Sequence, residues 1–217
     1  MSHNPNDIFD RRRYGLITGS KAFILFPDRG DGKVGMRTYA KELANRMYFR
    51  FYDNNNTWQT EHGNLSESSA NDHYKMFIDE TAEYQPIFAA HGFKYGGSGD
   101  AICKTRGVDY KCPTSLNGWL DYIHDGISKQ QYHQCQMYMH LYKRDEWDVA
   151  AYLLETNRMS NNGETYPVPR EKRMIITRVV KQEGWWERLE ENAEYVIEQR
   201  DIFYSKLVEQ FNVINNV

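Results

Sequence analysis

Ser98-Gly99-Asp100-Ala101-Ile102-Cys103-Lys104-Thr105-Arg106-Gly107-Val108-Asp109-Tyr110-Lys111-Cys112-Pro113 is the stretch on which the fold turns. Two runs of strand-forming residues flank a polar segment, and a proline ends the second run, the pattern of two strands and a turn. If the runs pair as a hairpin turning around Lys104-Thr105-Arg106, position 100 lies opposite position 109. Directly opposed residues bring their Cβ atoms to roughly 4.5–5.5 Å. Lys111 follows Asp109 at the strand period and points to the same face. Two carboxylates and one ammonium then converge at one spot.

That set suits phosphodiester hydrolysis. Hard carboxylate oxygens bind Mg²⁺, which keeps several of its waters. The metal polarises a phosphoryl oxygen and lowers the pKa of a bound water. A neighbouring lysine orients that water or offsets charge in the transition state. The carbonyl of Tyr110 is placed to add another oxygen ligand. Alone, the pattern D…DxK is not specific, because any half-exposed hairpin with a cross-strand ion pair matches it, and such a pair adds little stability.

Outward from this stretch the periodicity alternates between helix and strand. Arg11-Arg12-Arg13 ends a polar lead-in, and Thr18 or Ser20 is placed to cap a following helix. Arg29 to Gly35 reads as a glycine-rich loop. Tyr39, Leu43, Met47 and Phe51 recur every four positions, one face of a helix over Thr38–Phe51. Asp53 to Thr57 is a polar break. Gln59 to Ala82 reads as a second helix. Tyr84–Phe93 and Tyr95–Cys103 read as strands with turns. Gln130–Tyr142 reads as a helix with a Tyr/Met face, Trp147–Leu154 and Arg173–Val180 as strands, and Trp185 to about Phe211 as a long charged amphipathic helix. The order predicts an α/β fold with a central mixed sheet flanked by helices, in one domain over residues 1–217, with residues 1–10 as a flexible lead-in.

Composition narrows the classes. The chain has 217 residues, 40% of them hydrophobic and 14% aromatic, enough to bury a core. No apolar run approaches the ~20 residues that span a bilayer, and no secretory signal is evident, so a cytoplasmic protein without membrane association is expected. Cys103, Cys112 and Cys135 are odd in number and form no CxxC pair, which argues against a disulfide framework and a four-cysteine metal site. His133 and His140 lack the i, i+4 spacing of a zinc helix. The net charge of −3 slightly disfavours a nucleic-acid binder, although metal-binding carboxylates subtract from it while phosphate-binding cations stay local.

Five segments in order resemble the phage lambda exonuclease and YqaJ-type viral recombinase family of PD-(D/E)XK nucleases, over about residues 11 to 200. Arg13-Tyr14-Gly15-Leu16-Ile17-Thr18-Gly19-Ser20 resembles R-x-G-x-I-T-x-S. Gly63 to Ala70, followed by Tyr74, resembles the helix G-x-x-x-E-x-x-A. Ser98-Gly99-Asp100-Ala101 resembles S-P-D-G, Val108 to Pro113 resembles L-E-x-K-C-P, and Gln134-Cys135-Gln136 with Met139 resembles Q-x-Q-x-x-M. The sequence departs from these patterns at four places. Asp109 stands where Glu is more frequent, Gly99 replaces a proline, Ala101 replaces a glycine, and Thr114-Ser115-Leu116-Asn117 carries no arginine after the proline.

The resemblance implies a Mg²⁺-dependent phage exodeoxyribonuclease, with Mn²⁺ able to substitute, acting in the cytoplasm of a bacterial host. It would degrade linear duplex DNA 5′→3′ and leave 3′ overhangs for recombination. Asp100 and Asp109 would be the principal metal ligands, with Glu67 completing the site directly or through water. Lys111 would be the catalytic lysine, one of Gln134 and Gln136 would reach the active site, and Arg13, Thr18 and Ser20 would hold a terminal 5′-phosphate. A phage single-strand annealing protein is the implied partner, and a homo-oligomer, a ring-shaped trimer, the implied assembly. The competing readings are a structure- or site-selective endonuclease on the same core, and a non-catalytic DNA-binding recombination scaffold.

Overall fold

The computed structural model describes residues 14–50, 58–84, 88–155 and 165–214. The expected lead-in, Arg11 to Arg13, Phe51 and the break at Asp53 to Thr57 lie outside these residues. The chain divides into two compact units: Met1–Asn54, Phe88–Gly97 and Gln182–Val217 form one, and Asn55–Ile87 and Ser98–Lys181 the other. Together their elements make a mixed α/β protein.

The first unit holds β1 (Ile17–Thr18), a 3-10 helix (Gly19–Leu25), α1 (Lys33–Phe49), β3 (Ala89–His91), β4 (Tyr95–Gly97) and α5 (Trp185–Ile214). Its sheet has the order β1-β4-β3, with β1 parallel and β3 antiparallel to β4. Buried Met36, Tyr39, Ala40, Leu43 and Ala44 form the apolar stripe of α1. It packs against α5, whose Leu189, Ala193 and Val196 are buried. Trp185 is buried and stacks on Phe26, ring centroids 4.9 Å apart, so α5 begins in the core.

Two expectations change in this unit. Thr18 flanks a 3-10 helix but makes no side-chain cap. It belongs to β1, its N–H donates to Tyr39 Oη at 3.3 Å, and its hydroxyl lies 3.4 Å from that of Ser20. Helix α1 starts at Lys33, inside the expected loop. Its first three residues are exposed and the buried stripe begins only at Met36, while the Lys33 N–H donates to the Asp31 carboxylate at 3.1 Å.

The second unit is a five-stranded sheet of order β2-β5-β6-β7-β8, comprising β2 (Glu83–Tyr84), β5 (Ala101–Ile102), β6 (Arg106–Lys111), β7 (Glu146–Tyr152) and β8 (Met174–Val180). Only β6 and β7 pair in parallel. Parallel neighbours need a long crossover, and α3 (Leu116–His124) and α4 (Lys129–Tyr142) lie within it. Strand alternation divides β6. Val108 and Tyr110 pack with Ala70 and Tyr74 of α2 (Trp58–Phe77). Gly107, Asp109 and Lys111 face the other way, in register with Trp147, Val149 and Ala151, which meet α4 and α3. A Ser128/Gln131 capping box starts α4, and its Cys135, Tyr138 and Met139 cover Trp147, Val149 and Val179.

Here too the sequence reading needs correction. The helix expected to reach Ala82 stops at Phe77, because Asp79 Oδ1 accepts from the N–H and hydroxyl of Thr81 and turns the chain. The two expected strands over residues 84–103 are four strands of two or three residues each. Arg106 opens β6 rather than closing the hairpin turn, and its carbonyl accepts from the Cys103 N–H at 2.8 Å. Helix α3 was not anticipated. Ser115 caps it, accepting from Gly118 N–H at 3.1 Å, and Trp119 Nε1 donates to the Ala151 carbonyl.

Candidate active site

The hairpin register pairs Ala101 with Val108 and Ile102 with Gly107. Continued by one residue, it sets Asp100 against Asp109, as the spacing predicts. The Asp100 N–H donates to the Val108 carbonyl at 3.2 Å, and the Tyr110 N–H donates to Asp100 Oδ2 at 2.7 Å. Lys111 Nζ lies 2.6 Å from Asp109 Oδ2. From α4, Gln134 Nε2 donates to Asp109 Oδ1 at 3.2 Å. Of the two glutamines it is the one that reaches the carboxylates; Gln136 Nε2 donates instead to the Val180 carbonyl at the end of β8. Glu67, on α2, is within electrostatic range of Asp109 and Lys111 and accepts from Tyr84 Oη at 3.4 Å.

Electrostatics mark these groups as one cluster. Burial, then Asp109 and then Glu67, raise the Asp100 carboxyl well above its ordinary pKa. Burial and the Asp109 charge raise Glu67 as well. Burial alone would lower the Lys111 ammonium, but Asp109 and Asp100 outweigh it and hold the group protonated. The Cys112 thiol is pushed up to about 12, chiefly by burial and then by Glu67 and Asp100.

Asp100, Asp109 and Glu67 offer carboxylate oxygens, donors of the kind that suit a hard divalent cation. Among the described residues no three Asp, Glu, His or Cys side chains close into a ready metal cage.

Several residues around the cluster escape a reading of the sequence. Tyr84 holds Glu67. Tyr138, one helical turn from Gln134, has its hydroxyl 3.3 Å from the same amide. The Tyr110 hydroxyl donates to Asn71 Oδ1 at 3.0 Å. Helical spacing is the signal that links Asn71 to Glu67 and Tyr138 to Gln134. The glycine at 99 also finds a cause: a Cβ there would meet Trp147 Cζ2 at 2.6 Å, and one at Gly107 would overlap the same indole. Trp147 is completely buried. On the opposite face of the sheet, Asp148 is fully buried between Arg106 and Arg178 and accepts from Tyr74 Oη at 2.6 Å.

Arg13 lies outside the described residues. Thr18 and Ser20, in the first unit, place their hydroxyls 3.4 Å apart.

No family model matches the chain, and no curated protein does. Solved structures do. An alkaline exonuclease from Laribacter hongkongensis superposes with a TM-score of 0.73 at 16% identity, covering 93% of this chain and 96% of that one. The same enzyme in complex with dAMP gives 0.74 at 16% identity, with 95% and 98% covered. A phage-related exonuclease from Haemophilus somnus 129PT gives 0.70 at 14% identity, with 94% and 99% covered. The chain has the fold of these exonucleases.

Proposed function

We propose that this protein is a Mg²⁺-dependent PD-(D/E)XK deoxyribonuclease that degrades linear duplex DNA 5′→3′ and leaves 3′ single-stranded overhangs for phage recombination. The observation that carries this reading is the convergence of Asp100, Asp109, Lys111 and Gln134 at the hairpin. The likeness to three exonuclease structures supports it.

Asp100, Asp109 and the Tyr110 carbonyl would hold the metal, with Glu67 directly or through water, and the bound ion would supply Lewis-acid polarisation and an acidified water. The chain's own groups do the rest. Lys111, kept protonated by its carboxylate neighbours, offsets the charge that builds on the phosphoryl oxygens. Gln134 fixes the Asp109 carboxylate by occupying Oδ1. Arg13, Thr18 and Ser20 are assigned to a terminal 5′-phosphate, for which a guanidinium and hydroxyls are suitable donors. A single-strand annealing protein as partner and a trimeric ring belong to the same reading.

The test is digestion of linear duplex DNA bearing 5′-phosphate or 5′-hydroxyl ends, beside a covalently closed circle, with Mg²⁺ or Mn²⁺ and with Lys111→Ala as control. The expected result is loss of the 5′-phosphorylated strand, an intact circle and no activity in the variant. A nicked circle would instead make the protein an endonuclease. No cleavage under any condition would make it a DNA-binding scaffold.

A further inference from the structure

Tyr110 stands between the acid and the lysine of the second strand, and three of its groups have separate tasks. Its N–H holds Asp100 Oδ2 at 2.7 Å. Its carbonyl is the ligand assigned above. Its phenol crosses to the other face of the sheet and donates to Asn71 Oδ1 at 3.0 Å. Both side chains are buried, Tyr110 at 3% and Asn71 at 6% exposure, so water does not compete for this bond. Asn71 lies four residues after Glu67 on α2, one turn along the same face. Glu67, within electrostatic range of Asp109, stands on a helix that meets the sheet through Ala70 and through the Tyr74–Asp148 hydrogen bond. Directed hydrogen bonds fix such a helix's advance and rotation more closely than apolar packing does, and Tyr110–Asn71 lies one turn from Glu67 where Tyr74–Asp148 lies two.

We propose that Tyr110 is a positioning residue, whose backbone seats Asp100 while its phenol, through Asn71, sets where Glu67 stands relative to Asp109. The motif resemblance leaves this position unspecified, and nothing in the carboxylate pattern points to a phenol on the far face. The inference rests on the metal-dependent nuclease reading.

Tyr74 supplies the control. It is a second buried tyrosine bond between α2 and the sheet, donating to Asp148 at 2.6 Å, but it lies seven residues from Glu67 rather than four. Mn²⁺ affinity of the metal-free full-length chain is measured by calorimetry, without DNA, for wild type, Tyr110→Phe, Asn71→Ala, the double variant and Tyr74→Phe, with the melting temperature of each. Tyr110→Phe and Asn71→Ala are expected to weaken binding roughly 10-fold, the scale of outer-sphere effects on metal sites. The double variant should lose no more than either single one, and Tyr74→Phe should bind as wild type although its melting temperature falls. Wild-type affinity in Tyr110→Phe and Asn71→Ala, or an equal loss in Tyr74→Phe, would overturn the assignment and leave the nuclease reading untouched. A wild-type chain that binds no Mn²⁺ and cleaves no DNA would remove both.

Discussion

Asp100 is half-buried, and desolvation together with the charges on Asp109 and Glu67 raises its carboxyl pKa well above the ordinary carboxylate range. A carboxyl raised in the folded state favours folding at pH below its unfolded pKa, and that contribution is lost as pH rises through the folded value. In metal-free protein, the Asp100 carboxyl therefore costs stability at neutral pH relative to acid. Asp100→Asn keeps an oxygen to accept from the Tyr110 N–H but sheds the charge. The metal-free variant is expected to melt above wild type at neutral pH, and the gap should close in acid, where the wild-type carboxyl is protonated; thermal melts across pH check both. The convergence of Asp100, Asp109 and Lys111 was legible because the strand period of two puts Asp109 and Lys111 on one face and the hairpin register sets Asp100 opposite. Asn71, Tyr84 and Tyr138 were not, since in a chain with 16 tyrosines a phenol that holds a carboxylate's neighbour reads as ordinary core.

Asp148 on β7 ties three elements to one another. It meets Arg106 of β6 at 3.1 Å, Arg178 of β8 at 2.8 Å and the hydroxyl of Tyr74 on α2 at 2.6 Å. Removing one member of a buried ion cluster leaves the others uncompensated, at about 3–5 kcal/mol. Arg178 is 43% exposed and can return to water, so Asp148→Ala is expected near the lower end, about 3 kcal/mol, read as a reduced urea midpoint at constant m-value. The sequence disclosed elements in proportion to their length and periodicity. Helix α4 and strands β7 and β8 begin within a residue of expectation. Helix α3 escaped because Leu116-Asn117-Gly118 opens it with loop-like residues and only Trp119 is buried. Strands of two or three residues are too short to show alternation, so β2 to β5 merged into two longer runs.

Across the whole molecule, 27 basic against 30 acidic residues give a net charge of −3. A field of that sign does not draw DNA in from a distance, and the carboxylate cluster repels phosphate locally. Asp109→Ala is accordingly expected to lose hydrolysis while binding duplex DNA at least as well as wild type does without divalent ions. Fluorescence anisotropy in chelator, paired with a cleavage assay, checks the two halves; retained cleavage would take Asp109 out of the chemistry. The fold class was legible at this scale because mixed periodicities allow few layered arrangements. The interleaving of segments into two units was not, because it depends on which distant faces meet. The indole of Trp147, wedged where side chains at 99 and 107 would otherwise stand, has a consequence for ancestry. A bulkier residue at either glycine fits only if position 147 shrinks, and a smaller residue at 147 alone opens a void beneath both. The three positions are therefore free to change together but not singly.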